Sequence, residues 1–222
     1  MTIRKSSFQC SRSFEYSLVV PETIGAARPV LFLHGMGESG LNLLEEHEEQ
    51  VRTSGRVWIL PNGPYSWERR RLGRLGYSWY HFLGDQQVLR ASMEEALLYL
   101  DQLLEAVASE VALGPKFSVL GFSQGGYLGS LFAASNPERV SGFGCIGGRL
   151  KHEFFPKQDE YPPMLQLHGE NDFSVSTELA GKGVAAAKLL GVEAEMQTFP
   201  EVGHEVSSSM IETFLAWEGE LL

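Results

Sequence analysis

The chain has 222 residues, 43% of them hydrophobic and 21% charged, enough to bury about 70% of the surface its unfolded form exposes without a metal or disulfide to hold it together. Its 18 basic and 28 acidic side chains give a net charge of -10, a field that repels polyanions and argues against nucleic-acid partners. The longest apolar runs, such as Val30 to Leu33 and Val57 to Leu60, fall far short of the roughly 18 residues of a membrane helix, and the start MTIRKSSFQCSRSF lacks the apolar core of a secretory signal, so a cytoplasmic address without stable membrane insertion is expected.

The length favours one domain, spanning 1–222, over two. Two cysteines, Cys10 and Cys145, make no disulfide framework. Cys145 lies in the apolar run Val140 to Ile146 and reads as a small buried hydrophobe.

No repeat or low-complexity tract interrupts a regular succession of strand and helix patterns. Phe14 to Val20 alternates weakly, and Arg28 to Leu33 is a short apolar run of the kind found in strands buried on both faces. Val57 to Leu60 repeats that form and stops at Pro61. Between Gln86 and Ser109, Leu89, Met93, Leu97, Leu100, Leu104 and Val107 recur at helical spacing while Asp101 and Glu105 fall on other faces. Next come a strand at Phe117 to Leu120, a small-residue helix from about Gln124 to Ala134, and strands at Val140 to Ile146 and Met164 to Leu167. A helix at Thr177 to Leu190, a strand at Glu195 to Phe199 and a helix from about Val206 to Glu218 complete the series. Strands alternating with helices imply right-handed crossovers and a three-layer α/β architecture with a mostly parallel sheet. In such sheets chemistry gathers at the loops beyond the carboxyl ends of the strands.

One of those loops carries Gly121-Phe-Ser-Gln-Gly-Gly126, a G-x-S-x-G pattern centred on Ser123. In a chain with 24 glycines the pattern alone is weak, but here it follows a strand and opens a helix. The glycines clear space for a sharp turn that lifts the hydroxyl towards solvent; the plain alternative is a glycine-rich turn with a serine N-cap.

A serine hydroxyl needs a base to take its proton and a third group to orient that base. Three histidines follow Ser123. His152 sits in the polar segment Lys151-His-Glu153 and reads as a surface side chain. His168 ends the run Met164 to Leu167 on the expected active edge and is a rival base, although a hydrogen bond within its own turn suits it better. Placing the acid at Asp172, in the loop after that strand, leaves His204 as the downstream histidine, and the order Ser123, Asp172, His204 is satisfied. Glu170 and Glu201 read as exposed loop charges. The oxyanion of an acyl-transfer intermediate needs preorganised N–H donors; Gln124, directly after the serine, offers one, and Met36 in His34-Gly-Met-Gly37 offers the other.

Leu33-His-Gly-Met-Gly37, Pro61-Asn-Gly-Pro64, Trp79-Tyr80, the Ser123 motif, His168-Gly-x-x-Asp172 with Val175, and Gly203-His204 together resemble the phospholipase/carboxylesterase family of serine hydrolases, which includes acyl-protein thioesterases. The resemblance runs from about residue 28 to the C-terminus. It implies an α/β-hydrolase fold without a large lid domain, a catalytic triad of Ser123, Asp172 and His204, and oxyanion donors at Met36 and Gln124. The chain departs from the family pattern at His81, where Asp is common, and at Ser176, where Pro is common.

An insertion at about 64–84 holds Tyr65, Trp67, Tyr77, Trp79, Tyr80 and Phe82 around Arg69, Arg70, Arg71 and Arg74. Its aromatics are expected to wall an acyl groove, with Trp79, Tyr80 and His81 touching substrate and an arginine meeting an anionic substrate group; a packed loop with a solvated basic tip is the alternative. Gly181-Lys182-Gly183 lacks phosphate-loop spacing, and the six histidines show no zinc-type spacing, so neither cofactor nor metal is expected. The expected function is a serine hydrolase that cleaves a small-molecule or acylated ester or thioester through an acyl-enzyme. The alternatives are a triad enzyme of acyl transfer or carbon-carbon cleavage and a non-catalytic binding protein on the same scaffold.

Overall fold

Side chains alternate along the strands between two separate apolar clusters, and that alternation builds the layers. Residues 12–22 and 29–221 are described, in a computed structural model; Cys10 and Arg28 lie outside them. The strands are β1 (Tyr16–Val19), β2 (Val30–Leu33), β3 (Trp58–Pro61), β4 (Tyr65–Arg69), β5 (Arg74–Ser78), β6 (Phe117–Phe122), β7 (Val140–Ile146), β8 (Met164–Gly169) and β9 (Ala194–Phe199). The helices are α1 (Leu41–Glu46), α2 (Glu48–Thr53), α3 (Gln86–Ala108), α4 (Gln124–Ser135), α5 (Thr177–Leu189) and α6 (Ser208–Glu220).

Leu31, Leu33, Ile59, Val119, Phe143 and Cys145 face one cluster, filled by α3, α4 and α5. Their neighbours Val30, Phe32, Trp58, Leu60, Leu120 and Ile146 face the other, which α1, α2 and α6 cover. The period of two therefore puts apolar side chains on both faces, as a sheet sandwiched between helices requires. The main sheet has the order β1-β3-β2-β6-β7-β8-β9, with β1 antiparallel to β3 and the other neighbours parallel. The fold is a three-layer α/β-hydrolase fold. Among the described residues no helix is long and apolar enough to cross a membrane.

Strand order reverses between β2 and β6: the chain leaves β2 towards β3 and later returns to β6 on the other side. Such a switch point leaves a crevice outside the carboxyl ends of the two strands. The loops carrying Met36 and Ser123 both leave from it, because Leu33 pairs with Gly121 in the β2–β6 register.

Several elements differ from the sequence expectations. β6 runs on to Phe122, and β8 to Gly169, so His168 lies inside a strand instead of at its end. The short helices α1 and α2 and the β4–β5 hairpin were not anticipated. The hairpin forms most of the aromatic and arginine-rich insertion and pairs from Tyr65↔Ser78 to Arg69↔Arg74 around a turn with Gly73 at φ 63°. Where the family commonly has Pro, Ser176 caps α5, its hydroxyl accepting the N–H of Leu179 at 3.2 Å.

Candidate active site

Ser123 has φ 49° and ψ -114°, a backbone conformation that costs a non-glycine residue about 1–3 kcal/mol and persists only where the surroundings impose it. The two motif glycines are part of that imposition. A Cβ on Gly125 would lie 2.0 Å from the carbonyl oxygen of Leu33, and one on Gly121 would lie 2.3 Å from that of Gly125. Strand, turn and helix are packed backbone against backbone, which only glycine permits. The N–H of Ser123 donates to Ile146 at 2.9 Å, fixing the elbow to β7.

His204, in the loop between β9 and α6, reaches this serine: its Nε2 lies 2.9 Å from Ser123 Oγ and its Nδ1 lies 2.8 Å from Asp172 Oδ2. A carboxylate only accepts, so Nδ1 carries the ring proton and Nε2 is left to accept the serine O–H. Asp172 is buried, and its second oxygen, Oδ1, accepts the N–H groups of Ser174 at 2.8 Å and Val175 at 2.9 Å. Burial alone would raise its pKa, but the Val175 N–H, the His204 imidazole and the Ser174 N–H outweigh burial and hold it below the ordinary carboxylate value. The structure thus joins all three residues, distant in sequence, in one hydrogen-bonded chain.

His168 stands apart from the serine. Its Nδ1 lies 3.2 Å from Gln166 Nε2, a donor, so its Nε2–H donates to the carbonyl of Val175 at 2.8 Å and braces the loop that follows Asp172. His152 sits in a short 3-10 turn beside Glu153, with Nδ1 3.6 Å from that carboxylate. Glu170 accepts from Thr198 Oγ1 at 2.9 Å and Lys182 pairs with Glu178 at 2.5 Å. Cys145 is fully buried, and burial pushes its thiol pKa up to about 12, which keeps it inert. Among the described residues no group of three or more His, Cys, Asp or Glu side chains is arranged to hold a metal ion.

Gln124 is the first residue of α4, where N–H groups have no intrahelical acceptor. Across the switch point, nearly every polar backbone group flanking Met36 is already engaged. Gly35 N–H donates to Glu38 Oε2 at 2.9 Å and Gly35 C=O accepts from His34 Nδ1 at 2.7 Å. Gly37 N–H donates to the Tyr77 carbonyl at 2.7 Å and Gly37 C=O accepts from Arg69 Nη1 at 2.8 Å. His34 is wholly buried; burial lowers its pKa to about 4, so the ring is neutral, and its Nε2 accepts the N–H of Gly63 at 3.0 Å. Glu38 was not among the expected site residues, although its place three residues after Gly35 is a usable turn signal. Burial raises its carboxyl pKa, against the opposing pull of the Gly35 N–H.

The expected groove-lining aromatics need correction. Trp79 is fully buried, donating its indole N–H to the His34 carbonyl at 2.8 Å, and Tyr80 is 7% exposed. Both are core side chains whose backbone groups serve the site. Trp79 N–H donates to Gln124 Oε1 at 2.9 Å, and Gln124 Nε2 donates to the Tyr80 carbonyl at 3.0 Å and to Ser78 Oγ at 2.8 Å. His81 is exposed, its ring centroid 4.1 Å from that of Tyr65. Of the arginines, Arg70 pairs with Glu68 and Arg74 with Glu45 on the surface, and Arg69 turns inward to Gly37.

The model of the family described as phospholipase/carboxylesterase matches residues 15–217. Carboxylesterase SOBER1 of Arabidopsis thaliana is 23% identical over 85% of this chain and 88% of its own length. Acyl-protein thioesterase 1 of Neurospora crassa is 25% identical over 84% of each chain. Among solved structures, esterase PE8 superposes with a TM-score of 0.78 at 24% identity, covering 94% of this chain and 99% of its own. The Bacillus cereus carboxylesterase does so with 0.71 at 16%, covering 94% and 95%. The family match spans nearly the whole described chain and includes both strands at the switch point: this protein belongs to the phospholipase/carboxylesterase family and is a hydrolase of the esterase type.

Proposed function

We propose that the chain hydrolyses carboxylic esters, or thioesters, through an acyl-enzyme formed on Ser123. His204 Nε2 takes the hydroxyl proton as Oγ attacks the acyl carbon, and Asp172 holds the imidazole in the productive tautomer and stabilises its charge. The N–H groups of Met36 and Gln124 receive the oxyanion of the tetrahedral intermediate. His204 then passes the proton to the departing alcohol or thiol. Water, deprotonated by the same nitrogen, cleaves the acyl-enzyme and regenerates the serine.

The observation that carries this reading is the unbroken chain from Ser123 Oγ through His204 to Asp172, with contacts of 2.9 and 2.8 Å, built on a strained serine at the switch point. The names of the relatives, a carboxylesterase and an acyl-protein thioesterase, support an ester or thioester as substrate class. Of the three residues expected to touch substrate, His81 keeps that role in this reading, and Trp79 and Tyr80 act from behind it.

The test is labelling with a fluorophosphonate, mapped by mass spectrometry, alongside hydrolysis of p-nitrophenyl esters of increasing chain length. Label on Ser123, with loss of both label and turnover in Ser123→Ala and His204→Ala, is the expected result. Turnover retained in Ser123→Ala overturns it.

A further inference from the structure

The β4–β5 hairpin touches both sides of the proposed oxyanion site. On the Met36 side it supplies Arg69, the last residue of β4, whose guanidinium donates to the Gly37 carbonyl at 2.8 Å, and Tyr77 of β5, whose carbonyl accepts Gly37 N–H at 2.7 Å and whose N–H donates to the Glu38 carbonyl at 2.9 Å. On the Gln124 side the residues ending and leaving β5 bind the side-chain amide of Gln124, through Ser78 Oγ, Trp79 N–H and the Tyr80 carbonyl. One two-stranded element therefore holds the loop of one donor and the residue of the other. The contact to Gly37 is also close-packed: a Cβ there would lie 3.2 Å from the Trp67 ring and 3.6 Å from Arg69 Nη1, and Gly37 itself has φ 86°.

We propose that Arg69 is a positioning residue of this site, and that the hairpin sets the separation of the Met36 and Gln124 N–H groups. The inference rests on the acyl-enzyme reading above. Arg69 on the Gly37 carbonyl fixes the Gly37–Glu38 peptide unit and Tyr77 on the Gly37 N–H fixes the Met36–Gly37 unit, so the two units that follow the Met36 N–H are both tied to the hairpin. Hydrogen bonds to a charged group are the stronger kind, and an oxyanion hole works only when its donors are held where the charge will develop. Arg69 needs no contact with substrate to do this. Its effect is confined to the steps in which an oxyanion forms, acylation and deacylation, so it acts on kcat and leaves ground-state binding alone.

The experiment compares wild type with Arg69→Met, Arg69→Lys and Arg70→Met, reading kcat and KM for one p-nitrophenyl ester. It adds the inhibition constant of a trifluoromethyl ketone, whose carbonyl carbon takes the serine oxygen, with its proton passing to His204, and whose oxygen becomes the bound oxyanion. Displacing a donor by a fraction of an ångström to 1 Å costs about 10- to 100-fold. Arg69→Met is accordingly expected to lose that factor in kcat and in ketone affinity, with KM within about two-fold, while Arg69→Lys recovers part of both and Arg70→Met matches wild type. Thermal melts confirm that each variant is folded. If Arg69→Met melts out, the Arg69→Lys variant alone decides, through parallel losses in kcat and ketone affinity at constant KM. Wild-type kcat in Arg69→Met, or a loss seen in KM alone, overturns the proposal. A Ser123→Ala control separates the two failures, since an inactive Ser123→Ala beside a fully active Arg69→Met removes only the role of Arg69.

Discussion

Val175 is bonded to Asp172 through its N–H, which reaches Oδ1 at 2.9 Å, while its carbonyl accepts the ring N–H of His168 at 2.8 Å. The acid of the site is thus held by the backbone of its own loop, and that backbone is pinned to β8 by a buried imidazole.

This arrangement predicts a pH window for Asp172. Its folded pKa is depressed, so its contribution to stability is complete above the unfolded value, about 3.9, and is lost as pH falls through the lower folded value. Asp172→Asn removes the contribution and leaves the wrong group facing Nδ1, so kcat is expected to fall by about 10⁴. In urea denaturation the stability gap between wild type and Asp172→Asn should be widest at neutral pH and close as the pH drops below about 4. A gap that widens with acid would contradict the assignment of hydrogen bonds to Oδ1.

Ser123 gives a second prediction, in which activity and stability move in opposite directions. Its φ of 49° is a region that glycine enters freely. Ser123→Gly is expected to abolish turnover and to stabilise the fold by about 1 kcal/mol, the strain relieved less the extra entropy of an unfolded glycine. For a chain of this length that is a rise of about 2–4 °C in Tm. A lowered Tm would mean that the serine side chain stabilises the elbow more than its backbone strains it.

His34 predicts acid sensitivity in a different window. Burial lowers its folded pKa to about 4 from the ordinary 6.5, so the folded state resists a proton that the unfolded chain accepts. Its contribution is complete above about pH 6.5 and is lost progressively as the pH falls towards 4, amounting to about 3.5 kcal/mol at roughly 1.4 kcal/mol per pH unit. Equilibrium unfolding at several pH values should show this slope in wild type. In His34→Asn the slope should shrink, whatever the absolute stability of the variant.

The serine, acid and histidine of the proposed triad were legible because each lies in the loop that follows a strand, and the order of strands fixes the edge on which those loops gather. The hairpin was not. Its residues read as groove-lining aromatics because Tyr77, Trp79 and Tyr80 are sequence neighbours, and nothing local records that Trp79 packs under His34 or that Arg69 ends beside Gly37, 32 positions earlier. Helices α1 and α2 are six residues each, too short for a helical period to stand out. Ser176 is a related case, since a departure from the family's residue proves to be a helix cap, which the following Thr177-Glu178 could have suggested.

A last prediction concerns the end of the sheet opposite the site. Arg56, 7% exposed, pairs with the fully buried carboxylate of Glu218 in α6, which also accepts Ser118 Oγ at 2.7 Å. Ser118 lies in β6, five positions before Ser123 in the turn that ends it, about 16 Å away at strand rise. Removing one member takes a charged partner from the other buried group, so Glu218→Leu alone should cost about 3–5 kcal/mol. Replacing both, with Arg56→Met and Glu218→Leu, should restore much of that loss because no charge then remains to be solvated. Urea denaturation of the four proteins measures the coupling, and losses that simply add would show that the pair is not the unit of stability. At this distance kcat per folded molecule should be unchanged throughout the cycle, which separates the residues that hold the sheet together from those that hold its reactive edge.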